Sequence, residues 1–145
     1  MLPPSARRWQ ISSAPAFLGW RDQSGVAVGK MTSFARAVHR AVTAPGWWES
    51  PLGDLAPRLP EVLDKCEDLT FSADTEVRAY AALHLTDRYG RVLQVLEYLF
   101  AAGRLPLRHA GVKALEVGAG PAPALYAIHD FYDDLVRWPA GVRNG

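Results

Sequence analysis

Gly118 and Gly120 are the residues of this sequence whose type and spacing are best suited to chemistry. Two glycines separated by one residue permit a tight turn and let backbone N–H groups approach a ligand with no Cβ in the way. The largely apolar run 112–117 precedes them and is long enough for a buried parallel strand. Residues at helical spacing follow, and Pro121 or Pro123 suits their first turn. Because a helix N-terminus carries partial positive charge, the pattern predicts a strand, a glycine turn and a helix that receive an anionic group.

Two classes of ligand use such a turn. The dinucleotide pattern is Gly-x-Gly-x-x-Gly, and Pro123 occupies its last position here, which counts against a dinucleotide. The sequence Leu-Glu-Val-Gly-Ala-Gly at 115–120 instead resembles motif I of the class I, Rossmann-like S-adenosylmethionine-dependent methyltransferases. In that motif an acidic residue precedes Gly-x-Gly at the end of the first strand. The family often has a third glycine where this chain has the small residue Ala122.

The resemblance implies a role for each matching residue of the motif. Gly118, Ala119 and Gly120 would line the amino acid end of S-adenosylmethionine, with Ala122 completing the loop. Glu116 would lie near the ammonium group of the cofactor or bind it through water. The activity implied is methyl transfer to an acceptor that the motif does not identify, and no catalytic residue can be assigned.

The helical segment before the motif resembles the N-terminal helical cover of this family, which often helps to close the cofactor or substrate pocket. Within it we expect Tyr80, Arg88 and Tyr89 to contribute to cofactor binding. The near-neutral net charge favours a small molecule or a protein over RNA as the methyl acceptor.

The family sheet has seven strands, and the residues that follow Lys113 suffice for about one βαβ unit. We therefore expect an N-terminal portion of the enzyme, truncated within the cofactor-binding domain, with an incomplete sheet. Such a chain would bind the cofactor weakly and would not be active alone. Because an unpaired strand is an edge that attracts other strands, we also expect self-association or a partner chain that covers the sheet.

Two other interpretations remain open. The chain could be a non-catalytic helical protein-interaction module whose strand at 112–117 pairs with the sheet of a partner. It could also be a fragment of a nucleotide-binding oxidoreductase, although Pro123 weakens this interpretation.

The elements that would position the motif are predicted from periodicity. Residues 73–102 carry apolar side chains at spacings of three and four, with Ser72 or Asp74 as the N-cap. Gly103 and Pro106 then end the helix. The predicted chain is therefore mainly α, with a helical cover followed by the first strand, glycine loop and helix of a Rossmann-like domain.

Shorter helices are predicted upstream. One begins at Thr32 or Ser33 as N-cap and stops before Gly46. A second begins with Pro60 and runs through Cys66, which lies on its apolar side and is expected to be a buried structural thiol. No Cys–His spacing suggests a metal site.

Two adjacent tryptophans, Trp47 and Trp48, occupy the connection between these helices. We expect both to be packing residues, with a ligand platform as the alternative. His84 is expected to be a packed or half-exposed helix residue.

The domain organisation follows from these patterns. Residues 1–30, interrupted by prolines and glycines, are predicted to be a flexible N-terminal arm, and Met31 is a possible natural start. Residues 31–108 form the helical region, and 109–145 begin the Rossmann-like domain.

Composition excludes several classes of protein. The chain has 145 residues, of which 49% are hydrophobic and 21% charged, unlike a chain that is disordered throughout. A net charge of +1 excludes a strongly basic nucleic-acid binder of the histone type. No run approaches the roughly 18 apolar residues of a membrane span, so no membrane is expected as a partner. A single cysteine is compatible with the cytoplasm as location.

Overall fold

Helices account for most of the chain in the computed structural model, which describes residues 2–64, 73–108, 110–117 and 120–139. Short 3-10 turns at Leu52–Asp54 and Ala56–Arg58 precede the third helix. No described residue lies in a strand, so the prediction of a mainly α chain is confirmed. The helices are α1 Pro4–Gln23, α2 Val26–Thr43, α3 Leu59–Asp64, α4 Asp74–Ala101 and α5 Pro123–Arg137.

The chain divides into two units. The first unit comprises Met1–Lys30 and Tyr89–Gly145, and the second comprises Met31–Arg88. None of the described helices is both long and apolar enough to cross a membrane.

Helix α1 belongs to the first unit and replaces the flexible arm that we expected at residues 1–30. Its buried residues are Gln10, Ala14, Phe17 and Arg21, which follow one face at helical spacing. Two of these four positions are polar, so the segment lacks the apolar periodicity by which a buried helix is recognised. Pro15 lies within the helix on its exposed side, although it cannot donate a backbone hydrogen bond.

Aromatic rings form the centre of the first unit. Phe17 is fully buried, and its ring centroid lies 5.1 Å from that of Phe100, 5.6 Å from that of Phe131 and 5.5 Å from that of Trp138. Each such pair contributes about 0.5–1.5 kcal/mol beyond the burial of its area. Phe17 therefore joins α1 to both α4 and α5.

Helix α4 confirms the periodicity predicted for residues 73–102, and its end is the predicted one. The N–H of Arg104 donates to the carbonyl of Leu99 at 2.8 Å, and the N–H of Gly103 donates to that of Phe100 at 2.9 Å. These two bonds form a Schellman motif, which requires the left-handed conformation that Gly103 adopts at φ +67°.

The second unit has an aliphatic core formed by α2, α3, α4 and Leu55, which lies between the two 3-10 turns. The N-cap predicted at Thr32 or Ser33 is wrong, because α2 already begins at Val26, directly after the left-handed Gly25. Helix α3 contains Pro60 as predicted, whereas Cys66 lies outside the described residues. The buried core residues are Val38, Val42, Leu55, Val62, Ala79, Ala81 and Leu85.

Candidate functional site

Among the described residues 120–122, directly before α5, two have the left-handed conformation. Gly120 has a φ of +51°, and Ala122, the N-cap of α5, has a φ of +56° and a ψ of +48°. Pro123 opens the helix, as predicted. A left-handed alanine costs about 1 kcal/mol relative to glycine, so the backbone at position 122 favours glycine.

Glu116 provides the cap that Ala122 cannot. Its half-buried carboxylate accepts a hydrogen bond from the N–H of Leu125 at 3.2 Å, through Oε2. Leu125 lies in the first turn of α5, whose N–H groups have no partner within the helix. The predicted acidic residue of the motif and the predicted helix N-terminus are therefore in direct contact.

We expect Glu116→Ala to lower the free energy of unfolding by about 1 kcal/mol, since it removes both a capping acceptor and a charge at the helix N-terminus. Glu116→Gln, which keeps an acceptor, should lower it by about half as much. Urea denaturation and hydrogen exchange at the Leu125 amide measure these effects. Lys113→Ala, on an exposed side chain of the same segment, is the control. Unchanged exchange at Leu125 in Glu116→Ala would show that the bond does not form.

Residues 112–117 do not form the predicted buried strand. Leu115 and Val117 expose 88% and 86% of their surface, and no strand among the described residues lies beside them. The physical reason is that a strand needs a neighbour to pair its backbone N–H and C=O groups. Gly118 and Ala119 lie outside the described residues, so their predicted contacts with the cofactor stay predictions.

The three predicted cover residues fall in different units. Tyr89 belongs to the first unit, is fully buried, and donates its hydroxyl to Oδ2 of Asp130 at 2.6 Å. Burial and the neighbouring Asp130 carboxylate raise the pKa of Tyr89 above its ordinary value. Tyr80 and Arg88 belong to the second unit, where Tyr80 packs against the aliphatic core and Arg88 is exposed.

Tyr80 also contacts a second ring of its own helix. Its ring centroid lies 5.0 Å from that of His84, which is half-buried as expected. The role of Tyr80 in cofactor binding stays a prediction.

A charged network that the sequence analysis missed lies in the first unit. Arg21 of α1 donates from Nε to Oδ2 of Asp134 at 3.0 Å and also pairs with Glu97 of α4. Arg21 and Asp134 each expose only 1% of their surface. Burial raises the pKa of Asp134, against the opposing effect of the Arg21 guanidinium.

Lys30 extends this network along α5. Its Nζ lies 2.7 Å from Oδ2 of Asp133, 3.8 Å from Oδ1 of Asp130 and 3.9 Å from Oδ1 of Asp134. The hydrogen bond from Lys30 lowers the pKa of Asp133. Acidic residues at spacings of three and four on α5 were the only sequence signal of this network, and they do not reveal their partners.

These acidic residues do not form a metal centre. In the described part of the chain, no group of three or more His, Cys, Asp or Glu side chains could hold a metal ion. The network therefore consists of ion pairs and hydrogen bonds that join the helices of the first unit.

The arrangement at the start of α5 could hold a small molecule with a cationic group at Glu116 and backbone contacts along the turn. Comparison with known proteins adds no constraint on this interpretation. The chain matches no protein-family model, no curated protein and no solved structure.

Proposed function

We propose that this chain takes part in S-adenosylmethionine-dependent methyl transfer and contributes a cofactor-binding loop and its helical cover. The observation that carries the proposal is the contact between Glu116 and the first turn of α5, which lie on either side of the Gly-Ala-Gly sequence at 118–120. Motif I combines a strand, an acidic residue before the glycines and a helix after them; Glu116 and α5 correspond to the last two parts, whereas residues 112–117 lack the strand.

The hydrogen-bonding groups at the loop suit the amino acid end of the cofactor. An ionised carboxylate has room for more than one hydrogen bond, so Glu116 can accept from an ammonium group while it caps Leu125. The left-handed backbone at position 122 supports the same interpretation, because it favours the glycine that the family often has there.

The residues of this chain would bind and orient the cofactor. S-adenosylmethionine supplies the methyl group on its sulfonium sulfur. The Gly-Ala-Gly turn and Glu116 would hold the amino acid end, which places the sulfonium relative to an acceptor. Proximity and orientation of this kind supply much of the rate of a bimolecular transfer. The acceptor that we favour is a small molecule or a protein.

Cofactor binding is the test of this proposal. We expect S-adenosylmethionine and S-adenosylhomocysteine to shift the backbone NMR signals of residues 116–125 in this chain, with weak affinity. Glu116→Ala and Gly120→Ala should each weaken binding by about tenfold, the effect of losing one charged or closely approaching contact. Gly111→Ala is the matched control, because Gly111 is also left-handed, and a Cβ at either glycine meets nothing within 4 Å.

Two results would contradict this proposal. If the Gly111→Ala and Gly120→Ala chains bind S-adenosylmethionine equally well, cofactor binding does not depend on the motif. Absence of any shift at saturating cofactor would favour the second candidate, a non-catalytic helical protein-interaction module. The exposure of Leu115 and Val117 is the observation that favours this alternative.

A further inference from the structure

The exposed face of α2 in the second unit carries only basic charge. Residues 23–48 contain no acidic residue, and their charged side chains are Lys30, Arg36 and Arg40. Lys30 belongs to the first unit, where its Nζ is bound by Asp133. Arg36 and Arg40 are both exposed and lie one helical turn apart, so their side chains are neighbours. This face of α2 therefore presents two adjacent guanidinium groups to solvent.

Neither of these arginines has a partner that offsets its charge. In the described part of the chain, the side chains of Arg36 and Arg40 take part in no ion pair and no hydrogen bond. Two other arginines of the same unit do have partners, since Arg58 pairs with Glu61 at 3.1 Å and Arg78 donates to two backbone carbonyl groups. Like charges at a spacing of four residues destabilise a helix, so an anion that binds between them is favoured.

The two arginines line an open groove of about 600 Å³ on the side of α2. Its described lining residues are Met31, Thr32, Ala35, Arg36, His39 and Arg40. They form two parallel rows at a spacing of four residues, which places them on one side of the helix. The polar row ends at Thr32, whose exposed hydroxyl has no hydrogen-bond partner among the described residues. The other row begins with the half-buried Met31 and Ala35.

The composition of the groove indicates the class of ligand. Its polar row offers one hydroxyl and two guanidinium groups, and guanidinium groups bind phosphate oxygens through charge-assisted hydrogen bonds. The thioether of Met31 and the methyl group of Ala35 beside this row suit an apolar substituent. A volume of about 600 Å³ is typical of a site for a small molecule.

The charge of the rest of the unit argues against an extended polyanion. Residues 31–88 contain nine acidic and six basic residues, and all nine acidic residues follow position 48. Glu49 is the first of them, and it forms no ion pair with Arg40 in the described structure. A nucleic acid needs a basic surface that spans several phosphates, and acidic side chains repel it. Two guanidinium groups one turn apart match a single phosphate group instead.

We propose that Arg36, Arg40 and Thr32 bind the phosphate group of a small, soluble phosphate monoester whose apolar part packs on Met31 and Ala35. Such a phosphate carries roughly 1.5 to 2 negative charges at neutral pH, which two guanidinium groups balance. The site lies within the second unit, whereas the glycine motif belongs to the first. The proposal is therefore independent of S-adenosylmethionine binding.

Titration of the full chain with phenyl phosphate, followed by backbone NMR, tests this proposal. We expect shifts at residues 31–41 with a dissociation constant on the order of 1 mM, and weaker binding of inorganic phosphate, which lacks the apolar part. Arg36→Gln and Arg40→Gln should each weaken the binding of both probes by about tenfold. Met31→Ala should weaken the binding of phenyl phosphate by about threefold and leave that of inorganic phosphate unchanged.

Arg58→Gln is the matched control, because it removes the same charge from an exposed arginine of the same unit that is paired with Glu61. It should leave the affinity for both probes within about twofold of the original. The proposal is overturned if neither probe shifts these signals at about 10 mM, or if Arg58→Gln weakens binding as much as Arg36→Gln does. It is also overturned if vesicles with phosphatidic acid, or a single-stranded oligonucleotide, bind in an Arg36-dependent manner while phenyl phosphate does not.

Discussion

Replacement of Gly103 by alanine should destabilise the first unit by about 2–4 kcal/mol. A Cβ at this position would lie 2.7 Å from Cγ of Arg7, 2.8 Å from its carbonyl oxygen and 3.1 Å from Cγ1 of Ile11. The carbonyl belongs to the backbone of α1 and cannot move without shifting the helix. Overpacking of this kind costs about 1–3 kcal/mol, and the left-handed φ of +67° adds about 1 kcal/mol for alanine.

Urea denaturation followed by circular dichroism measures this loss, and Gly25→Ala is its matched control. Gly25 is also left-handed, at φ +76°, but a Cβ there meets nothing within 4 Å. Only the conformational cost of about 1 kcal/mol should remain in this variant. If the two variants lose equal stability, α1 does not pack against the end of α4 as closely as these distances require.

Arg21→Met should have an effect of similar size, a loss of about 3–5 kcal/mol at neutral pH. The substitution leaves the carboxylate of Asp134 buried without its guanidinium partner, and an uncompensated buried charge costs this much. Methionine retains much of the apolar stem of Arg21. It loses the guanidinium, whose central carbon lies 4.9 Å from the ring centroid of Phe131.

The pH dependence of this variant distinguishes charge from packing. Burial already raises the pKa of Asp134, and removal of Arg21 removes an influence that lowers it. An acid whose pKa is raised in the folded state favours folding at low pH, and this contribution is lost as the pH rises through the raised pKa. The loss in Arg21→Met should therefore be largest at pH 7 and should shrink towards about pH 4, where the carboxyl group is protonated.

Asp134→Asn completes the comparison. The double variant Arg21→Met/Asp134→Asn should lose less stability than the two single losses combined, by about 1–3 kcal/mol. Strict additivity, or a loss in Arg21→Met that does not change with pH, would contradict a direct ion pair. The contribution of Asp133 to the free energy of unfolding has the opposite pH dependence in every variant. The Lys30 ammonium lowers the pKa of Asp133, so its contribution is present above the ordinary carboxyl pKa and is lost as the pH falls.

Helices α4 and α5 could be predicted from the sequence because local patterns determine them. The apolar spacing of α4, its glycine stop at Gly103 and the proline at the start of α5 all act within a few residues. The acidic residue at position 116 was found by the same local logic. Its contact with Leu125 joins residues only nine positions apart.

The different burial of the two tryptophans could not be predicted from the residues next to them in the sequence. Trp47 and Trp48 have the same side chain and adjacent positions. Trp48 is half-buried because Arg78 and the carbonyl of Ala41 lie beside it in the folded second unit, whereas Trp47 has 80% of its surface exposed. A periodic pattern contains no information about which neighbour a distant helix supplies.

Helix α1 shows most clearly what the tertiary structure alone decided. Gln10 and Arg21 are buried only because they find partners in the backbone of Leu105 and the carboxylate of Asp134, which lie 95 and 113 residues away. Without those partners, burial of either side chain would be unfavourable, so the sequence alone predicts an arm. Residues 112–117 show the opposite case. The sequence determines that they are largely apolar, but they can form a strand only where a second strand pairs with them.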